Sequence, residues 1–176
     1  ITAGFKHAGD LIVLLGETFP ELGASEYLKE IFGEVAGEVP FVDLEREWRA
    51  NKLCIEGSKM NLFSSAHDIS EGGLAVALGE CCLLGNIGAS VRIPDSSMPP
   101  SAYLFSESQA RFLLFLSPEN LPRLEGLAEE LGVPLAVIGE VGGKRLYIEG
   151  KKELINLSLQ DMEKIWRYSI QSIMEK

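Results

Sequence analysis

The sequence predicts one α/β domain over residues 1–176, a mixed β-sheet flanked by helices in layers. Short apolar runs such as Leu11–Leu15 are typical of buried strands, whereas residues 74–84 and 118–131 carry apolar side chains at helical spacing. Strand and helix patterns alternate along the chain, which favours a layered α/β fold. The glycine pair Gly142-Gly143 separates two further apolar runs and predicts a hairpin, so we expect a mixed and not a purely parallel sheet.

The first half of the chain predicts two strands and two helices in order. Leu11–Leu15 is the first strand, and 62–68 is the second. Ser25 is the expected N-cap of a short helix with an apolar side of Tyr27, Leu28, Ile31 and Phe32. Asp43 is the expected N-cap of a longer helix that Gly57 stops or weakens and that carries Leu44, Trp48, Leu53 and Ile55.

The second half begins with a strongly helical run, 74–84, which Gly85 and Asn86 end. The expected elements after it are a strand at 87–93, a Pro/Ser linker at 95–101, a strand at 111–116, a helix at 118–131, strands at 134–141 and 146–148, and a helix at 159–174. The last helix is amphipathic, and we expect its apolar side to pack on the domain through Met162, Ile165, Trp166, Ile170 and Ile173.

Composition and charge limit the classes of partner. Apolar residues make up 46% of the chain, enough for a hydrophobic core, and 26 acidic against 16 basic residues give a net charge of −10. Because that charge repels phosphate backbones and anionic lipids, nucleic acid and membranes are excluded as partners. A phosphate ligand would need local backbone N–H groups, a metal or a partner domain. No apolar run approaches the roughly 20 residues that span a bilayer.

The cysteines and the N-terminus concern the cellular context. Cys81 and Cys82 are adjacent in a predicted helix and Cys54 is the third thiol, so neither a disulfide framework nor a zinc site is indicated. We expect buried structural thiols in a reducing cytoplasm. The chain starts at Ile1 without a methionine, which indicates a fragment cut at a domain boundary, although processing would look the same.

The most informative stretch is 64–82. A strand brings Asp68 to its C-terminal end, Gly72 and Gly73 permit a tight turn, and a helix follows. This arrangement predicts free backbone N–H groups directed at a phosphate or another anion, with Asp68 as a Mg²⁺ ligand. A helix cap supplied by Ser70 or Asp68, with no ligand, explains the same pattern equally well. His67 should point to the opposite face of the strand from Asp68, so we expect a core or surface histidine and no catalytic pair.

A second polar stretch, 104–114, places Glu107, Ser108 and Gln109 between apolar runs. Burying them without partners would cost a few kcal/mol, so they are exposed or hydrogen-bonded. They either hold the amide and hydroxyl groups of a ligand or form a loop and a cap, and the residues alone favour the loop and cap.

Three segments together resemble one family. HDISEGGLAVALGE (67–80) is similar to a signature of the synthetase subunit of formylglycinamide ribonucleotide amidotransferase, also called phosphoribosylformylglycinamidine synthase, of the aminoimidazole ribonucleotide synthetase-like superfamily. GFKHAGDLIVLLGET with LGASEYL, and LFSESQARFLL, look like two further segments of that family in the same order. The resemblance covers about residues 4–116, with a less diagnostic continuation.

The resemblance implies a fold, a reaction and partners. The chain looks like the second copy of that enzyme's C-terminal domain. The implied reaction belongs to purine biosynthesis: ATP phosphorylates the amide oxygen of formylglycinamide ribonucleotide, and ammonia displaces the phosphate to give the amidine. The implied cofactors are ATP and Mg²⁺, and the implied partners are the N-terminal domains of the same enzyme and a glutaminase that supplies ammonia. The implied compartment is the cytoplasm.

The resemblance also suggests residue roles. The residues expected to bind a nucleotide or phosphate are Asp68, Ser70, Gly72 and Gly73, and Asp68 is also an expected metal ligand. The residues expected to form an auxiliary or substrate-like site are Glu107, Ser108 and Gln109. The family's catalytic residues belong to N-terminal domains, so no catalytic residue is expected and the isolated chain should be inactive. The alternatives are a structural half that touches no ligand, or a domain of another ATP-dependent member of the superfamily.

Overall fold

The computed structural model describes residues 1–174, without the side chains of residues 171 and 172. Its seven strands are β1 (Leu11–Leu15), β2 (Ser65–Asp68), β3 (Ala89–Arg92), β4 (Phe112–Leu116), β5 (Leu135–Val141), β6 (Arg145–Glu149) and β7 (Glu153–Ser158). Its helices are α1 (Glu26–Phe32), α2 (Leu44–Lys59), α3 (Gly73–Gly85), α4 (Pro100–Phe105), α5 (Leu121–Leu131) and α6 (Leu159–Met174). A 3₁₀ turn at Pro118–Asn120 precedes α5. No helix of the described residues is long and apolar enough to cross a bilayer.

All seven strands form one sheet in the order β2-β4-β1-β5-β3-β6-β7. The apolar strand β1 lies between β4 and β5 and is antiparallel to both, with Leu11 opposite Leu116 and Leu15 opposite Phe112. The β3–β6 pair is parallel. The predicted mixed sheet with flanking helices is therefore confirmed.

The predicted hairpin at Gly142-Gly143 is wrong, because β5 and β6 are not neighbours. Strand β3 lies between them, antiparallel to β5 and parallel to β6. The connection wraps around the start of β3: the Gly142 N–H donates to Gly88 O at 2.7 Å and the Gly88 N–H donates to Gly143 O at 2.9 Å. The observed hairpin joins β6 to β7, and β7 was not predicted.

The sheet separates two hydrophobic cores. One core packs α3 against one face of the sheet, with Leu74, Leu78 and Cys81 fully buried beside Phe115. The other core packs α2 and α5 against the opposite face of β1 and β4, through residues such as Leu53 and Leu124. Alternate side chains of β1 enter opposite cores, as the pleat of a central strand requires.

The predicted caps of α1 and α2 are confirmed, and the role of Gly57 is corrected. The alternative prediction of a Ser70 or Asp68 cap on α3 is wrong, because the N-cap of that helix is Gly72 and neither side chain caps it. Ser25 Oγ accepts from the Leu28 N–H, and Asp43 Oδ1 accepts from the Glu45 N–H at 3.0 Å. Helix α2 continues through Gly57 to Lys59. A Cβ at Gly57 would lie 2.6 Å from the Phe63 ring, so this glycine allows close packing and does not end the helix.

Three predicted apolar helix faces are only partly covered by the domain. Helix α1 has no buried residue, and Leu44, Trp48 and Ile55 of α2 are exposed. In α6 only the first turn packs on the core, through Leu159 and Met162. The rest of the predicted packing face of α6 is exposed: Ile165, Trp166, Ile170 and Ile173.

Candidate functional site

The turn after β2 brings the start of α3 close to the chain before β4. Gly72 and Gly73 have φ values of 79° and 68°, which side chains rarely adopt. A Cβ at Gly73 would lie 2.6 Å from Ser106 O and 2.8 Å from Leu104 O. The two glycines are therefore required by backbone conformation and, at Gly73, by close packing against the 104–106 backbone.

The prediction that this turn presents free amide hydrogens is wrong at both glycines. Gly72 and Gly73 are buried. The Gly72 N–H donates to Oε1 of Glu107 at 2.9 Å, and the Gly73 N–H donates to Ser70 O at 3.0 Å. Both N–H groups already donate hydrogen bonds inside the domain, so they are not available to bind a phosphate.

Glu107 joins the beginnings of two helices. Its Oε1 also accepts from the Glu26 N–H at 2.9 Å, in the first turn of α1. A carboxylate near helix N-termini satisfies unpaired N–H groups and interacts favourably with the helix dipoles. Glu107 therefore acts as an internal anion where an external one was predicted, and the cap interpretation describes this residue.

Arg111 holds the loop that carries Glu107. Its side chain is 1% exposed, and its Nε donates to Ser108 O at 2.9 Å. Its Nη2 donates to Ser106 O, and its Nη1 donates to Thr18 Oγ1 at 3.1 Å. Burial lowers the pKa of Arg111 to about 10. Sequence reasoning missed this role, although an arginine at the start of the apolar strand RFLLFL was a visible signal.

Ser108 is also used inside the domain. It is fully buried, and its Oγ accepts from the Phe19 N–H at 3.1 Å. The same oxygen lies 3.3 Å from Phe19 O, to which its hydroxyl donates. The loop interpretation therefore describes Ser108, whose side chain fastens the 16–20 segment to the loop before β4.

Three predicted site residues remain exposed: Asp68, Ser70 and Gln109. Gln109 Nε2 donates to Glu107 O at 3.2 Å and lies beside a groove of about 460 Å³. Arg46 and Arg49 also line that groove, and the Arg46 guanidinium lies 5.0 Å from the centre of the Phe19 ring. These arginines were not predicted as site residues.

His67 lies closer to Asp68 than its alternation in a strand predicted. Its Nδ1–H donates to Asp68 O at 2.6 Å, and Nδ1 is 3.5 Å from Asp68 Oδ1. Its Nε2 is 3.3 Å from Oε2 of Glu80 in α3. The histidine thus links the end of β2 to α3, and the predicted separation of His67 from Asp68 is wrong.

The described residues contain no group of three or more His, Cys, Asp or Glu side chains arranged to hold a metal. The Asp68 side chain is 65% exposed, so it is available as a single carboxylate ligand. Mg²⁺ is commonly bound by one or two carboxylates together with substrate phosphates and water. Asp68 fits that ligand type only when a nucleotide and further protein groups complete the shell.

The three thiols are partly or fully buried and reduced. Burial raises the pKa of Cys54 and of Cys82 to about 12, and it also raises the pKa of Cys81. Thiolates are the reactive form, so these cysteines are poor nucleophiles at neutral pH.

A larger groove of about 820 Å³ lies elsewhere, across β3 and β5. Its lining includes Arg92, Asp95, Tyr103 and Glu140. None of the predicted site residues lines this groove. Its larger volume therefore does not point to the predicted site around Asp68.

Comparison with protein families gives a match over most of the chain. The family model described as AIR synthase related protein, C-terminal domain, matches residues 7–151. The phosphoribosylformylglycinamidine synthase subunit PurL of Moorella thermoacetica is 48% identical over 174 residues, which cover 98% of this chain and 24% of that protein. The PurL subunit of a Thermoanaerobacter species is 42% identical over 99% of this chain and 24% of its own length. The chain spans about a quarter of the length of the curated relatives it matches.

Solved structures share the fold. T. maritima PurL complexed with FGAR superposes with a TM-score of 0.80 at 24% identity, over 92% of this chain and 29% of that one. Thiamine-monophosphate kinase from Stenotrophomonas maltophilia superposes with a TM-score of 0.59 at 20% identity, over 88% of this chain and 54% of that one. At these identities the likeness concerns the fold alone.

Proposed function

This chain belongs to the family of AIR synthase related protein C-terminal domains, and on that premise we propose that it is the C-terminal domain of a phosphoribosylformylglycinamidine synthase of the PurL type. The observation that carries the proposal is the 48% identity to PurL of Moorella thermoacetica over 98% of this chain. Residues 1–176 then form one domain of a larger ATP-dependent carbon–nitrogen ligase of purine biosynthesis. The substrate of that enzyme is formylglycinamide ribonucleotide, and a glutaminase supplies ammonia in the cytoplasm.

The domain contributes one wall of a composite nucleotide site. Asp68 and Ser70 are exposed beside the start of α3, so a nucleotide held mainly by another domain can reach both side chains. Gly72 and Gly73 shape the turn and do not donate to phosphate. Bound Mg²⁺ would reduce the repulsion between the Asp68 carboxylate and the phosphates.

Gln109 is the exposed member of the proposed auxiliary group. Glu107 and Ser108 have a structural role. The Glu107 side chain joins the beginnings of α1 and α3, and the Ser108 side chain holds the 16–20 segment. In this proposal Glu107 and Ser108 keep the shape of the wall, and of these three residues Gln109 is the one that faces a ligand.

One observation favours a second function, a structural half that contacts no ligand. Glu107 accepts from the N–H groups of Gly72 and Glu26, so the Gly72 donor that the sequence predicted for an external anion is already used inside the domain. The two functions differ in their dependence on Asp68, since a purely structural domain has no need for that exposed carboxylate.

The test is a chimera of Moorella thermoacetica PurL in which this chain replaces the matching quarter. With ATP, ammonia and formylglycinamide ribonucleotide, the chimera should form the amidine, whereas this chain alone should not. Amidine formation by the isolated chain would contradict the proposal, because the other domains would then be unnecessary. A folded but inactive chimera would contradict membership of this enzyme.

A further inference from the structure

The segment 31–48 exposes an unusual number of large apolar side chains. Eight of them are between 52% and 79% exposed: Ile31, Phe32, Val35, Val39, Phe41, Val42, Leu44 and Trp48. Single exposed apolar residues are ordinary, but a run of this kind marks an interaction surface. We name these eight residues the 31–48 face.

Helix geometry extends this face along α2. At about 100° per residue, Leu44, Trp48 and Ile55 fall within about 40° of one another around the helix axis. The buried residues Ala50 and Leu53 lie on the opposite side. Helix α2 therefore has two apolar stripes, one in the core and one directed outward, and the outward stripe has no role in the packing of this domain.

The loop between α1 and α2 is firmly placed. The Ala24 N–H donates to Ala36 O at 2.8 Å, and the Phe41 N–H donates to Oε1 of Glu21 at 3.2 Å. The close approach of Gly23 and Gly37 packs the two backbones together, since a Cβ at Gly37 would lie 2.9 Å from the Gly23 Cα. The apolar side chains are thus presented on an ordered backbone, which lowers the entropy cost of binding.

Charge identifies the kind of partner. Residues 21–47 contain eight acidic and two basic residues, a net charge of −6 out of the chain's −10. A second copy would bring −6 against −6, and an anionic membrane would be repelled. A complementary surface is apolar at its centre and carries lysine and arginine around its rim.

We propose that the 31–48 face is the docking surface for such a basic-rimmed apolar surface on another part of the same PurL-type synthetase. The inference rests on the proposed function. The curated relatives continue well beyond the quarter that this chain matches, so they contain the protein mass that a docked domain requires. The face lies next to the groove lined by Phe19, Phe41 and Gln109, so docking there would bring the second domain close to Gln109, the exposed member of the proposed auxiliary group.

The test mixes this chain with Moorella thermoacetica PurL lacking the matching quarter. In a Trp166→Phe background, Trp48 is the remaining tryptophan, and docking should shift its emission to shorter wavelength. The double variant Val35→Lys/Val39→Lys should bind at least tenfold more weakly, and 0.5 M NaCl should weaken binding at least fivefold. The matched control Leu157→Lys, at an exposed apolar position on β7, should change binding less than twofold.

Equal affinities of the double variant and the control would overturn the proposal, as would the lack of a complex with a folded remainder. If circular dichroism shows that the remainder does not fold, hydrogen exchange decides the question. Amides aligned with residues 33–42 should exchange at least fivefold more slowly in full-length Moorella PurL than in its isolated quarter, and equal rates would overturn the proposal. An Asp68-dependent nucleotide site in the chimera would survive either failure, which separates this surface from the proposed function.

Discussion

Glu107 Oε1 accepts a hydrogen bond from the Gly72 N–H at 2.9 Å, across 35 residues of sequence. The same oxygen accepts from Glu26, so one carboxylate ties the beginnings of α1 and α3 together. This contact replaces the expected vacant anion site with an internal anion. It leaves Asp68 and Ser70, and not the glycine amides, as exposed polar groups of this turn.

Replacing Glu107 should destabilise the domain, because its carboxylate caps the beginnings of both α1 and α3. We expect Glu107→Ala to lower the free energy of unfolding by about 1–2 kcal/mol, because two buried or half-buried N–H groups lose their acceptor. Urea denaturation measures the change. Glu30→Ala, at an exposed position of α1, is the control and should change stability by less than about 0.5 kcal/mol. Equal effects of the two substitutions would refute the capping role.

Arg111 should be irreplaceable by another cation. Arg111→Met leaves Ser106 O and Ser108 O without their donor, so we expect a loss of about 3 kcal/mol or more in the free energy of unfolding. Arg111→Lys should restore little, since one ammonium group cannot reproduce the fork geometry that reaches three acceptors. In both variants the Gly72 and Glu26 amides should exchange faster with solvent, although neither contacts Arg111. Unchanged exchange at these amides would mean that Arg111 does not position Glu107.

Two glycines of α3 should respond oppositely to alanine. Gly73→Ala places a Cβ 2.6 Å from Ser106 O at a positive φ, so we expect a loss of about 2 kcal/mol or more. Gly79→Ala meets no atom within 4 Å and should stabilise the helix by up to about 1 kcal/mol. Thermal unfolding of the two variants measures the difference. A stabilising Gly73→Ala substitution would show that α3 does not begin against the 104–106 backbone.

Alkaline pH should destabilise the fold through its buried thiols. Burial raises the pKa of Cys82 from 9.0 to about 12, so between these values the unfolded chain loses the thiol proton before the folded chain does. The stabilising contribution is complete below pH 9 and declines by roughly 1.4 kcal/mol per pH unit above it. Cys82→Ala should flatten the dependence of unfolding free energy on pH by about that slope between pH 9 and 11. Parallel curves for the variant and the parent would contradict this assignment.

The elements that depend on local pattern were predicted well. The bounds of β1 follow from an apolar run, and the end of α3 follows from Gly85 and the left-handed Asn86 after it, which are local features of the chain. The resemblance stated on three segments, 67–80 among them, is also confirmed, by the family match over residues 7–151.

The errors concern features that distant residues determine. The turn at Gly142 and Gly143 has a hairpin's composition, but β3, about 50 residues earlier in the chain, occupies the place beside β5. Similarly, Glu107 meets Gly72 and Glu26 only in the folded chain. Periodicity revealed the apolar side of α6 without showing that the domain leaves Ile165 and Ile170 uncovered.

In the proposed function, Asp68 forms part of a nucleotide site completed by other domains, and binding stoichiometry tests this role most directly. Isothermal titration of Mg·ADP into the chimera with Moorella PurL should show one fewer bound nucleotide, or at least tenfold weaker binding at one site, after Asp68→Asn. Asp95→Asn, which changes an exposed carboxylate paired with Lys151, should leave binding unchanged. Identical titrations for the parent chimera and Asp68→Asn would contradict the claim and leave the domain with a structural role.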